Sequence, residues 1–334
     1  MQKLTRSTRV RPRPGFTLTE LMVSLVMFGV VSGIIMGLVR SQQRFYRGAT
    51  EIIDVRSQLR QAAAILPLDL RSVSTVSQVA PGGSPYNPSV LGSDIKTMTD
   101  KEVWFRATIG SGVVCEVAGN AIAVAPEGVL ARGNVLTSWY TPPAVGDTAF
   151  VFDYGGGPGA GDDQWWPYII APIADSNLPC AGSTMLLAGD AGKVKKQFVL
   201  TAVPPSPAVL PTSVKAGAVV RFTRSVAYGL YQSGSSWFLG YKGPDAAAGG
   251  MSQWQPVSGP YRAYAPGGPT NGLQFLYFDS LGVATANPNA VSRIDVKLRG
   301  EGVETRNAAS YTSQKNRTVF TDSLLLSIAI RNRS

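Results

Sequence analysis

Residues 16–39, FTLTELMVSLVMFGVVSGIIMGLV, carry one ionisable side chain, Glu20, in 24 positions. As an α-helix the stretch is ~36 Å long, enough to cross a ~30 Å hydrocarbon core with some tilt. A buried helix of a soluble protein has a similar composition. A nearly uncharged run of this length behind a basic arm reads as a membrane span instead. A cleaved secretory signal fits poorly, because the run is too long and no small-x-small site stands at its far end. No Cys lies near it, which excludes lipoprotein processing.

Outward from this stretch, both flanks are basic. Residues 1–15 hold Lys3, Arg6, Arg9, Arg11 and Arg13 and no acid, half of the net charge of +10. Arg40, Arg44 and Arg47 follow the run. The bias of basic residues places the N-terminus in the cytoplasm and the remaining ~290 residues outside. Glu20 is the anomaly, since a carboxylate at membrane depth costs up to a few kcal/mol. Either it lies near the headgroups, or it awaits a positive partner.

Gly15-Phe16-Thr17-Leu18-Thr19-Glu20-Leu21 resembles the type IV prepilin processing motif, a basic leader ending in Gly, then Phe, then Glu at the fifth mature position. Thr19 departs from the more usual Ile. The resemblance implies cleavage between Gly15 and Phe16, N-methylation of Phe16, and pairing of Glu20 with the Phe16 amine of a neighbouring subunit. The partners it implies are other minor and major pilins, the prepilin peptidase/N-methyltransferase, the inner-membrane assembly platform and membrane lipid.

Within the span Gly29, Gly33 and Gly37 recur every four residues, a spacing that lets another helix approach closely. The same glycines also loosen a helix, by roughly 1 kcal/mol each relative to Ala. Past Arg40 the pattern turns amphipathic. Ile52, Val55, Leu59, Ala62, Leu66, Leu70 and Val73 form a seam on one helix face. The spacing predicts one helix from Phe16 to about Leu66, kinked or ended by Pro67. The seam is expected to pack on a globular head, with a free coiled coil as the alternative.

Ser77–Gly92 reads as a Ser/Pro/Gly-rich linker, and beyond it come short strands between turn clusters. Strands are predicted at Val103–Ile109, Val135–Tyr140, Thr148–Tyr154, Val219–Tyr231, Trp237–Tyr241, Leu273–Phe278, Arg293–Leu298 and Val319–Arg331. Gly110-Ser-Gly112 reads as a turn, and Gln232–Ser236 as a hairpin loop. Gly155–Asp163 and Ala246–Gly250 read as glycine-rich surface loops. The runs Val226–Tyr231, Gln255–Pro260, Leu273–Gly282 and Arg293–Leu298, with the terminal strand ending Ile330-Arg331-Asn332, look like the head of PilW-type minor pilins and J-type pseudopilins. Residues 80–220 match neither and are candidates for an insertion.

The chain of 334 residues is 16% charged, with 36 Gly, 23 Pro and no His. Without imidazole there is no Ser-His-Asp or Cys-His nucleophile and no His-ligated metal. No P-loop or GxSxG motif is present, so an enzyme is not expected. Cys115 and Cys180, the two cysteines, are either a disulfide closing a loop worth ~4 kcal/mol or two buried thiols. Asp153, Asp162, Asp163 and Asp175 cluster around glycine turns. They are weak calcium candidates, and a solvated acidic loop is the plainer reading. Residues 293–334 carry eight Lys/Arg against four acids but lack aromatic-basic interleaving, so nucleic acid is not an expected partner.

The expected fold class is α+β. Residues 1–15 are a cleaved leader, 16–40 a transmembrane helix, 41–75 its amphipathic continuation, and 76–334 an extracytoplasmic, predominantly antiparallel β head. The expected function is a structural minor pilin that initiates or caps a type IV pilus. Its alternatives are a minor pseudopilin of a type II secretion system and a tip-displayed adhesin or DNA-uptake module. The expected location is the inner membrane, then the pilus or pseudopilus.

Overall fold

The structure is a computed structural model that describes residues 15, 17–73, 94–156, 164–176, 179–204, 206–245, 250–268, 270–307 and 317–330. The chain divides into two compact units, Met1–Ile53 and Asp54–Ser334. The fold is α+β: helix α1 (Leu18–Arg71) is followed by a predominantly antiparallel β head. The Ser77–Gly92 linker lies outside the described residues.

The part of α1 in the first unit follows from its composition. Every residue from Leu18 to Arg47 is exposed, and this helix is long and apolar enough to cross a membrane. In the second unit Val55, Leu59, Ala62, Leu66 and Leu70 are buried at steps of three and four. Their partners are sheet residues, among them Phe105, Tyr228, Phe275, Val296 and Leu298, so the seam faces the head's own core. Pro67 does not end the helix, which runs on to Arg71. Leu66 and Leu70 on either side of it are fully buried. That packing offsets the ~3 kcal/mol penalty of an interior proline.

The strands in chain order are β1 (Ile95–Met98), β2 (Glu102–Ala118), β3 (Ala121–Val124), β4 (Ser138–Trp139), β5 (Thr148–Asp153), β6 (Gln164–Ser176), β7 (Lys195–Ala202) and β8 (Val219–Ser233). They continue with β9 (Ser236–Lys242), β10 (Pro244–Asp245), β11 (Gly250–Met251), β12 (Gln255–Tyr261), β13 (Leu273–Phe278), β14 (Arg293–Asn307) and β15 (Arg317–Ala329). Among the described residues all the pairings are antiparallel.

The long β2–β8 ladder, from Glu102↔Gly229 to Val113↔Val219, serves two cores. Its first half, with Val103, Phe105, Val226 and Tyr228, faces the helix seam. Its second half closes a ring of pairings through β3, β7, β6 and β5 back to β8. The result is a six-stranded antiparallel barrel filled by Val114, Ile122, Val151, Ile170, Phe198, Leu200 and Phe222. Every buried residue of this second core lies between Ile109 and Phe222.

Two strand expectations need correction. Gly110-Ser-Gly112 is not a turn but the middle of β2. A Cβ on Gly110 would meet Trp139 Cβ at 2.5 Å, so glycine there lets β4 lie against β2 rather than reverse the chain. Of Val135–Tyr140 only Ser138–Trp139 is strand, because just Gly110 and Ser111 pair with it. The β8–β9 hairpin turns in two residues after Ser233↔Ser236, with Gly234 at φ 61° supplying the left-handed conformation such a turn needs.

Candidate functional site

The N-terminus of α1 is a reciprocal cap. Thr17 Oγ1 accepts from the Glu20 N–H at 3.3 Å, and Glu20 Oε2 accepts from the Thr17 N–H at 3.0 Å. The Thr17 hydroxyl also lies 3.0 Å from the same Oε2. This is a capping box, which satisfies donors that the first helical turn leaves unpaired. Thr17-x-x-Glu20 is also the sequence signature of a helix start. Glu20 is therefore held in place by its own chain, with the carboxylate exposed. Gly15 is exposed, and Phe16 lies outside the described residues.

Gly29, Gly33 and Gly37 make no close contact with the described residues. A Cβ at any of them would find nothing within 4 Å. The rest of the span is equally bare, with Leu25 73% and Phe28 74% exposed. In water this much apolar surface is strongly unfavourable, so it belongs in lipid or against other helices.

In the barrel, Cys115 on β2 and Cys180 are joined by a disulfide, with Cα atoms 5.0 Å apart. Ala123 and Leu186 pack around it. Cys180 adopts φ 55°, uncommon for a residue with a side chain, and its N–H donates to Glu116 Oε2 at 2.8 Å.

Asp153 is buried and committed, accepting from the Gly155 N–H at 3.0 Å and from Trp166 Nε1 at 3.1 Å. Asp175 pairs with Lys196. Asp162 and Asp163 lie outside the described residues. Among the described residues no three His, Cys, Asp or Glu side chains come together.

An open cavity of about 410 Å³ on the barrel is lined by Ala125, Glu127, Trp139, Lys193, Val194 and Lys196. Both lysines are engaged, Lys193 by Asp190 and the Val129 carbonyl, Lys196 by Asp175. Burial pushes the Tyr168 and Tyr261 hydroxyls up to about 12 and raises Tyr228 and Tyr277 as well. Burial lowers Lys96, with the nearby Arg106 adding to it.

Residues 11–36 match the family of the prokaryotic N-terminal methylation motif. The match covers Arg11, Arg13, Gly15, Phe16, Glu20 and two of the three span glycines. No curated protein and no solved structure matches the chain. Its N-terminal segment is thus type IV pilin- or pseudopilin-like, a structural rather than an enzymatic kind of segment, and suits an inner-membrane anchor.

Proposed function

We propose that the chain is a minor pilin that helps initiate or cap a type IV pilus after cleavage between Gly15 and Phe16. The observation that carries this reading is the methylation motif over residues 11–36, joined to an apolar helix whose span residues are exposed. Cleavage creates an ammonium on Phe16 at the membrane surface. Glu20, oriented by Thr17, offers it a fixed carboxylate in a neighbouring subunit, and a charge at membrane depth gains most from one such partner. The stripe of Gly29, Gly33 and Gly37 provides the close approach between helices. Other pilins, the prepilin peptidase/N-methyltransferase and the inner-membrane assembly platform are its partners in this account.

The barrel within residues 109–222 adds bulk that is hard to repeat at every position of a fibre, which favours an end position over the shaft. A minor pseudopilin of a type II secretion system uses the same N-terminal chemistry and is the second reading. Glu20→Ala tests the pairing: the variant stays in the membrane but is depleted from sheared, affinity-purified fibres. Incorporation at the wild-type level refutes it.

A further inference from the structure

Just beyond the apolar span, α1 carries Arg40, Arg44 and Arg47, all exposed. Residues 21–50 contain no acid, and Glu51, four residues past Arg47, is the first beyond them. At 3.6 residues per turn the three arginines fall within about 60° of one another around the helix. Phe45 and Tyr46 sit between them, 74% and 70% exposed, with their rings edge-on at 6.4 Å. In water this arrangement is unfavourable twice over. Like charges at three- and four-residue spacing repel, with Glu51 placed to offset this only at Arg47, and two aromatic rings stay hydrated.

At a bilayer surface both features become favourable. Aromatic rings sit well at headgroup level, and guanidinium groups bind phosphate oxygens in a forked geometry. The depth is right. Leu21–Val39 makes ~28 Å of helix, which matches the ~30 Å hydrocarbon core and brings Arg40 out at the headgroups. Arg44 and Arg47 lie ~6 and ~10 Å further along the axis, within about a Debye length of the surface.

We propose that Arg40, Arg44 and Arg47, with Phe45 and Tyr46, form an interfacial collar that binds anionic phospholipid headgroups in the leaflet at the C-terminal end of the span. The collar holds the helix at a set depth and opposes its withdrawal from the bilayer. This rests on the membrane-span reading of α1 and not on the pilus role, so either can fail without the other.

The test uses the full chain in nanodiscs of equal parts phosphatidylglycerol and phosphatidylcholine. Lipids retained after mild detergent stripping are counted by native mass spectrometry. The wild type and R40Q/R44Q/R47Q share the same basic leader, so their difference isolates the collar. The wild type retains about threefold more phosphatidylglycerol per chain than the variant, and the excess shrinks at high salt. Circular dichroism verifies that the variant is folded, and R40K/R44K/R47K keeps part of the excess. Equal retention by wild type and glutamine variant overturns the collar and leaves an acidic protein surface as the arginines' partner. A chain that does not stay in nanodiscs overturns the span reading together with the collar.

Discussion

The Tyr228 hydroxyl on β8 donates a hydrogen bond to Asp69 Oδ2 in the last turn of α1, at 2.5 Å. Tyr228 is buried in the helix-facing core beside Phe105, and its hydroxyl is the polar end of an otherwise apolar contact. Removing the hydroxyl leaves a partly buried carboxylate without its donor. Tyr228→Phe therefore destabilises the head by about 1–3 kcal/mol. A lowered urea midpoint with an unchanged slope is the expected result for the detergent-solubilised chain.

Alkaline pH acts through the same group and three others. Tyr168 and Tyr261 are pushed up to about 12, and Tyr228 and Tyr277 are also raised, in each case chiefly by burial. A hydroxyl whose folded pKa exceeds the unfolded value of about 10 favours the folded state fully below pH ~10. That contribution is lost as pH climbs through the folded values. Phenolate absorbance from these tyrosines is expected to rise together with loss of circular dichroism. Their ionisation in a chain that keeps its native spectrum contradicts the burial argument.

Gly300 on β14 lies against Val55 of the helix, since a Cβ there would sit 2.6 Å from Val55 Cγ1. Gly300→Ala overpacks this contact and costs about 1–3 kcal/mol. Val55→Ala opens the space, so the double variant recovers part of that loss beyond additivity. Strictly additive effects in chemical denaturation would show that the two positions do not meet.

The disulfide closes a loop of 65 residues within the barrel. Its removal in Cys115→Ser/Cys180→Ser costs about 2–5 kcal/mol. The loss is local to the second core, so amide exchange quickens in β3, β6 and β7 while the helix-facing strands β13 and β14 keep their protection. Uniform loss over both cores would mean that they unfold as one.

The sequence reveals the helix, its apolar and amphipathic halves and the buried seam, because a nearly uncharged run followed by apolar residues at steps of three and four from Ile52 to Val73 is a long signal. Leu273–Phe278 is recovered to the residue, since one buried face alternates with a half-buried one. The barrel was not legible. β6 carries Pro167 and Pro172, which argue against a strand, and the pairing shifts register between Ile170 and Ile173, where Pro172 is accommodated. β7 opens on two lysines, and outside the barrel β12 is obscured in the same way by two prolines and a glycine. Ring closure depends on β2 and β8 each pairing on both sides, which no local pattern encodes. At the candidate site both the lone charge of Glu20 and its capping bond to Thr17 are legible, the second as the Thr-x-x-Glu pattern of a helix start.

The central claim is that the basic leader is removed so that Phe16 can present a methylated amine to a neighbour's Glu20. Intact mass and N-terminal sequencing of the protein extracted from its native membrane test it most directly. The account predicts a chain that begins at Phe16 and is one methyl group heavier than residues 16–334. A functional protein that still begins at Met1 contradicts it.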